Sequence, residues 1–71
     1  MKLVDLFNLL NPDTWVKVID LTYVKSYGAA EPDDLYESAA FRNYVATAQV
    51  VSVYADTTTD GGMPILVIEC K

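Results

Sequence analysis

Few side chains in this chain could do chemistry, and their types and spacing exclude more than they permit. The sequence contains no histidine and a single cysteine, Cys70. Without an imidazole there is no Ser-His-Asp or Cys-His pair to activate a nucleophile, and no histidine ligand for a metal. A lone Cys70 at the end of a strand-like run reads as a small buried or half-buried thiol, and no intrachain disulfide can form. The segment Asp56–Gly61, DTTTDG, matches the opening of a calcium loop, with Asp at its first and fifth positions and Gly at its sixth. The bidentate glutamate that closes such a loop is replaced by Val67, so a hairpin turn is expected instead. Glu31, Asp33, Asp34 and Glu37 could supply paired carboxylates. Acidic residues also gather at helix starts for electrostatic reasons, and a solvated face is expected here. The chain therefore reads as a non-enzymatic protein with no cofactor and no metal.

Recognition is the chemistry that remains. The chain has five tyrosines, one tryptophan and one arginine. These side-chain types dominate binding hot spots. Three of the tyrosines fall in the stretch Tyr27–Tyr44 together with Arg42. As the sole planar bidentate donor, Arg42 suits a carboxylate or phosphate. Tyr27, Tyr36, Arg42 and Tyr44 are the candidate contact residues, for a protein partner or a small anionic ligand. Aromatics filling a small core are the competing reading of the same residues.

Charge narrows the partners further. The formal net charge is −5, and the basic residues Lys2, Lys17, Lys25, Arg42 and Lys71 are scattered. Phosphate backbones call for clustered Lys and Arg, so direct nucleic-acid binding is not expected. No apolar run approaches the roughly 20 residues that cross a bilayer. The opening MKLVDLFNLLNPD is broken by Asp5 and Asn8, so no secretory signal is expected and the cytoplasm is the expected compartment.

The elements that would position these residues follow from periodicity. Leu3, Leu6, Phe7 and Leu10 fall on one helical face, ended by Asn11-Pro12. TWVKVIDLTYV reads as a strand, with Trp15, Lys17, Ile19 and Leu21 on one side and Val16, Val18 and Asp20 on the other. Tyr27–Tyr44 reads as a helical crossover in two pieces. Pro32-Asp33-Asp34 opens a helix, and Phe41, Tyr44, Val45 and Ala48 line a helical face. QVVSVYAD and MPILVIEC form a closing antiparallel hairpin turned by TTTDGG. The expected fold is α+β, one domain over residues 1–71, with a small sheet packed on helices. Its expected core comprises Leu6, Phe7, Leu10, Val16, Val18, Val51, Val53, Ile65 and Val67.

The last strand is apolar on both faces, with Ile65 and Val67 on one and Leu66 and Ile68 on the other. Both should be covered. A chain of 71 residues buries only about 60% of its unfolded surface, so a homo-oligomer is expected. Leu66 or Ile68, with Tyr54 or Trp15, would form the subunit contact.

LVDLFNLLNPDTWVKVID, taken with QVVSVYAD and LVIEC, resembles a group of small proteins of Firmicutes genomes, often found in phages and other mobile elements. They pair a Leu-rich N-terminal helix and a strand with a variable middle and a closing hairpin. The resemblance covers roughly half the chain and implies an accessory factor acting in the host cytoplasm. On that view the protein inhibits or sequesters a component of a host defence system. The alternative is a homo-oligomeric sponge that holds a nucleotide-like signal in pockets between subunits. Its phosphates would be held by Arg42, Lys25 and the Thr57–Thr59 loop.

Overall fold

The computed structural model describes residues 1–57 and 62–71. Its element order is α1 (Leu3–Leu9), β1 (Val16–Asp20), β2 (Lys25–Ala30), α2 (Pro32–Tyr36), α3 (Ala39–Thr47), β3 (Val50–Thr57) and β4 (Pro64–Cys70). The fold is α+β, with one four-stranded mixed sheet in the order β2-β1-β4-β3. β1 runs parallel to β4, while β2 and β3 lie antiparallel on the two outer edges.

Local chemistry explains where the elements start and stop. Pro32 occupies the first turn of α2, where its missing N–H has no helical partner to lose. Asp33 and Asp34 follow it in that turn. Ser38 caps α3, its Oγ accepting from Phe41 N at 3.3 Å. At the hairpin, Gly62 has φ 68°, the left-handed region a reversal requires. Residues 58–61 of the TTTDGG turn lie outside the described residues, as does most of the calcium-loop match.

The expected strand from Thr14 to Val24 is shorter than its composition suggested. It ends at Asp20, whose Oδ1 accepts from Thr22 N at 2.9 Å and turns the chain back. Tyr27–Ala30, expected as the opening of the helical crossover, belongs instead to the edge strand β2, Lys25–Ala30. The crossover helices begin only at Pro32 and come in two pieces, α2 and α3.

One buried cluster joins the layers. Leu3 and Phe7 of α1, Leu35 of α2, and Phe41 and Val45 of α3, with Ala48 just beyond it, pack on Val16, Val18, Ile68 and Cys70 of the sheet. The expected core holds at Phe7, Val16, Val18, Ile65 and Val67 and needs two corrections. Val51 and Val53 are 49% and 44% exposed, because β3 is an outer strand that the helices do not cover. Leu6 and Leu10 only flank the cluster, half-buried at its rim. Ile65 and Val67 are buried, yet they stand apart from the cluster on the opposite face of the sheet.

Candidate functional site

Two surfaces carry the side chains that sequence singled out. The first is an aromatic wedge between the helices and β2. Phe41, fully buried, is its centre. Tyr27 meets Phe41 edge-on at 5.4 Å, Tyr36 meets it at 5.7 Å, and Phe7 lies at 5.5 Å. Tyr44 stacks on Tyr27 at 5.3 Å with 26° between the planes. The structure thus brings Tyr27, Tyr36 and Tyr44 together through Phe41, a residue given no contact role in the sequence reading. Arg42 stands outside the wedge. It is exposed, and its guanidinium donates to the backbone carbonyl of Tyr36 at 2.5 Å, tying α3 to the end of α2.

The wedge opens into a cleft at the carboxyl ends of the parallel pair β1 and β4. The cleft has a volume of about 520 Å³, and its lining includes Asp20, Lys25, Tyr27, Tyr44, Thr47 and Lys71. Ligands of open α/β sheets favour this end of the strands. Asp20 is only 4% exposed. Lys25 places Nζ 5.1 Å from the centre of the Tyr27 ring, a cation–π position. The Tyr44 hydroxyl is sealed from solvent and makes no well-formed hydrogen bond. The Asp20 carboxylate is the polar group beside it, near enough to act on the phenol by charge and as a hydrogen-bond acceptor at marginal geometry. Burial, then the charges of Cys70 and Asp20, hold the Tyr44 phenol well above its ordinary pKa of 10. Burial and the Asp20 carboxylate push the Cys70 thiol up to about 11. A thiolate nucleophile is thereby disfavoured at neutral pH. Sequence reading missed Asp20 as a buried charge. Its signal was the Asp-x-Thr spacing of the turn that satisfies one carboxylate oxygen.

The second surface is the sheet face opposite the helices. Trp15, Lys17, Ile19, Tyr54, Met63, Ile65 and Val67 share a broad hollow of about 630 Å³ there. Strand alternation puts Trp15, Lys17 and Ile19 of the β1 segment on this face, beside Ile65 and Val67 of β4 and Tyr54 of β3. At the rim Ser52 Oγ donates to Glu69 Oε1 at 2.5 Å. No described helix covers this face; all three pack on the other side. The expected subunit contact is therefore divided. Leu66 and Ile68 belong to the helix-covered side, with Ile68 fully buried, whereas Trp15 and Tyr54 belong to the open side.

Among the described residues no helix is long and apolar enough to cross a membrane. Comparison with protein families, with curated proteins and with solved structures finds no match for the chain.

Proposed function

We propose that this is a non-catalytic binding protein that grips a protein partner on the open face of its sheet. The observation that carries this reading is the helix-free face of the sheet, where the part-exposed Trp15, Ile19 and Tyr54 surround the buried Ile65 and Val67. Exposed apolar side chains grouped within a polar rim mark interaction sites. Tryptophan and tyrosine at the walls are the types that retain affinity when water is excluded. Lys17 sits within the hollow, while Asp56 and Glu69 lie at or beside its rim. The net charge of −5 adds a general pull towards cations. A fitting partner presents an apolar ridge, one carboxylate for Lys17 and a basic surround. An inhibitor or adaptor of a host component, carried by a phage or mobile element, fits that description.

Photo-crosslinking inside the host cell tests the reading. A benzophenone side chain at Trp15 should give one discrete protein adduct, and Lys17→Glu should abolish it. The same adduct from position 36 or 42, and none from position 15, would move the contact to Tyr27, Tyr36, Arg42 and Tyr44.

A second reading has its own observation. Lys25 and Lys71 line one cleft beside Tyr27 and Tyr44, a pairing of cations and aromatic rings that suits a small anionic ligand. Release of a phosphorylated small molecule on denaturation, with no protein adduct from Trp15, would favour this sequestering role.

A further inference from the structure

The two edges of the sheet are built differently. The β2 edge begins with Lys25, its ladder with β1 is broken by a bulge between Val16 and Val18, and Gly28 takes φ 93°. Charge, bulging and local twist are the devices that keep an edge from recruiting another strand. The β3 edge shares the bulge, between Val50 and Ser52, but from there to Ala55 it has none of the other devices. Its sequence from Val50 to Ala55, VVSVYA, contains no charge, no proline and no glycine. Val51, Val53 and Tyr54 are each more than two-fifths exposed.

Hydrogen-bond geometry shows which part of that edge is open. Its first residues are occupied: Val50 N donates to Met1 O at 2.8 Å, and Leu3 N donates to Ala48 O at 2.9 Å. Farther along, Leu66 N donates towards β1, to Trp15 O, so Ile65, Val67 and Glu69 turn their backbone groups towards β3. Their ladder partners are Asp56, Tyr54 and Ser52. Alternation then points the N–H and C=O groups of Val53 and Ala55 outward, where no described residue meets them. At Thr57 the edge is closed again, its N–H donating to Asp56 Oδ1 at 2.8 Å.

We propose that β3 pairs antiparallel with β3 of a second copy of this chain, about a two-fold axis at Tyr54. The pairing joins the two four-stranded sheets into one. In this register the outward groups of Val53 exchange hydrogen bonds with those of Ala55 of the other copy. The two Tyr54 rings lie across from each other on the open side, a close cross-strand aromatic pair. Asp56 falls opposite Ser52 of the other copy, which keeps the two Asp56 carboxylates apart. A copy of the same strand is the occupant because the segment is self-complementary under a two-fold, with no like charges opposed. Charge also restricts the choice of surface. Two molecules at −5 each repel, and Val51–Ala55 is a stretch of edge free of carboxylates. The pairing is independent of what the open face binds, and it sets two such faces side by side.

Sedimentation equilibrium of the full chain, from micromolar to hundreds of micromolar, reads the outcome directly. The wild type should approach twice its 7.9 kDa. Ala55→Pro removes an outward N–H that β4 does not use, so the ladder survives while self-pairing is lost. Val53→Lys places a charge on the same edge. Both variants should weaken dimerisation at least about tenfold (roughly 1.4 kcal/mol) with unchanged far-UV circular dichroism. Should Ala55→Pro fail to fold, Val53→Lys and a cysteine scan carry the test. Tyr54→Cys should form an intermolecular disulfide under mild oxidation, and Trp15→Cys should not. A wild-type monomer throughout the range overturns the proposal. So does a dimer that persists in Val53→Lys and leaves Tyr54→Cys uncrosslinked, which would place the contact on another surface. A monomer that forms mixed disulfides only with a foreign extended peptide would show the edge to be built for another protein.

Discussion

Tyr27 of β2 stacks on Tyr44 of α3 with ring centres 5.3 Å apart, and both rings pack half-buried against the core cluster. β2 itself contributes little burial, since its residues are mostly exposed. The stack, with the edge contact of Tyr27 on Phe41, is therefore a main anchor for this strand. A double-mutant cycle with Tyr27→Leu and Tyr44→Leu, followed by urea unfolding, should give a coupling of about 0.5–1.5 kcal/mol. Additive effects would mean that the rings are neighbours without mutual stabilisation.

Phe41 holds the wedge together and has no exposed surface. Phe41→Ala should cost about 3–5 kcal/mol. A chain of this size has a total stability of only about 4–10 kcal/mol. The variant is expected to lose the near-ultraviolet signal of the tyrosines at 37 °C, with part of its far-ultraviolet signal retained. A cooperative melt within a few degrees of wild type would show that the core does not depend on this ring.

Gly28 permits β2 to pass close to β1. A Cβ built there would stand 2.6 Å from the carbonyl oxygen of Val16, at φ 93°. Gly62 has φ 68° and no described atom within 4 Å of its Cβ position. Gly28→Ala carries both backbone strain and a clash, whereas Gly62→Ala carries strain alone, on the order of 1–2 kcal/mol. Thermal melts should place Gly28→Ala clearly below Gly62→Ala. The reverse order would mean that β2 shifts freely on β1.

Much of this architecture is legible in the sequence. Leu3 and Phe7 mark α1, Pro32 marks the first turn of α2, and Phe41, Val45 and Ala48 mark the buried side of α3 and its end, because helical spacing records burial directly. The strand KSYGAA was not legible. It contains Ser, Gly and Ala, lacks apolar alternation, and is held by a ladder with β1 and by the Tyr27 stack. Val51 and Val53 looked like core residues because β-branched residues suit any pleated surface, and exposure on an outer strand depends on where the helices end. For the candidate site, residue types pointed to tyrosines, but their convergence on Phe41 is a tertiary fact. So is the division of Leu66 and Ile68 from Trp15, which follows from strand register.

High pH should destabilise the fold through Cys70 and Tyr44. The Cys70 thiol rises from an ordinary value of 9.0 to about 11 on folding, first through burial and then through the Asp20 carboxylate. The folded state thus holds its proton more tightly than the unfolded chain. That contribution is fully present below pH 9 and is lost as pH rises from about 9 to about 11. Tyr44, raised in the same direction by burial, extends the loss above pH 10. Urea midpoints measured from pH 8 to 11 should fall steadily, and Cys70→Ala should flatten the first part of that fall. A Cys70→Ala profile parallel to wild type would mean that the thiol titrates normally.

Trp15 offers a way to distinguish edge pairing from face-to-face association. It is the sole tryptophan of the chain, so indole fluorescence comes from one place, the wall of the open hollow. The segment carrying Trp15 leads into β1, two strands away from the β3 edge, with β4 between them. Self-pairing through β3 leaves the indole as accessible as it is in the monomer. Acrylamide quenching should therefore be the same, within about a tenth, at protein concentrations below and above dimerisation. A partner seated on the hollow should instead reduce quenching severalfold and shift the emission to the blue, since it replaces water around the ring with apolar side chains. Lys17→Glu should leave the free protein's emission in place and suppress the partner-induced shift. If quenching falls as the protein alone is concentrated, the open faces meet each other in the dimer. Trp15, Ile19 and Ile65 would then form a subunit interface, and the edge of β3 would remain free.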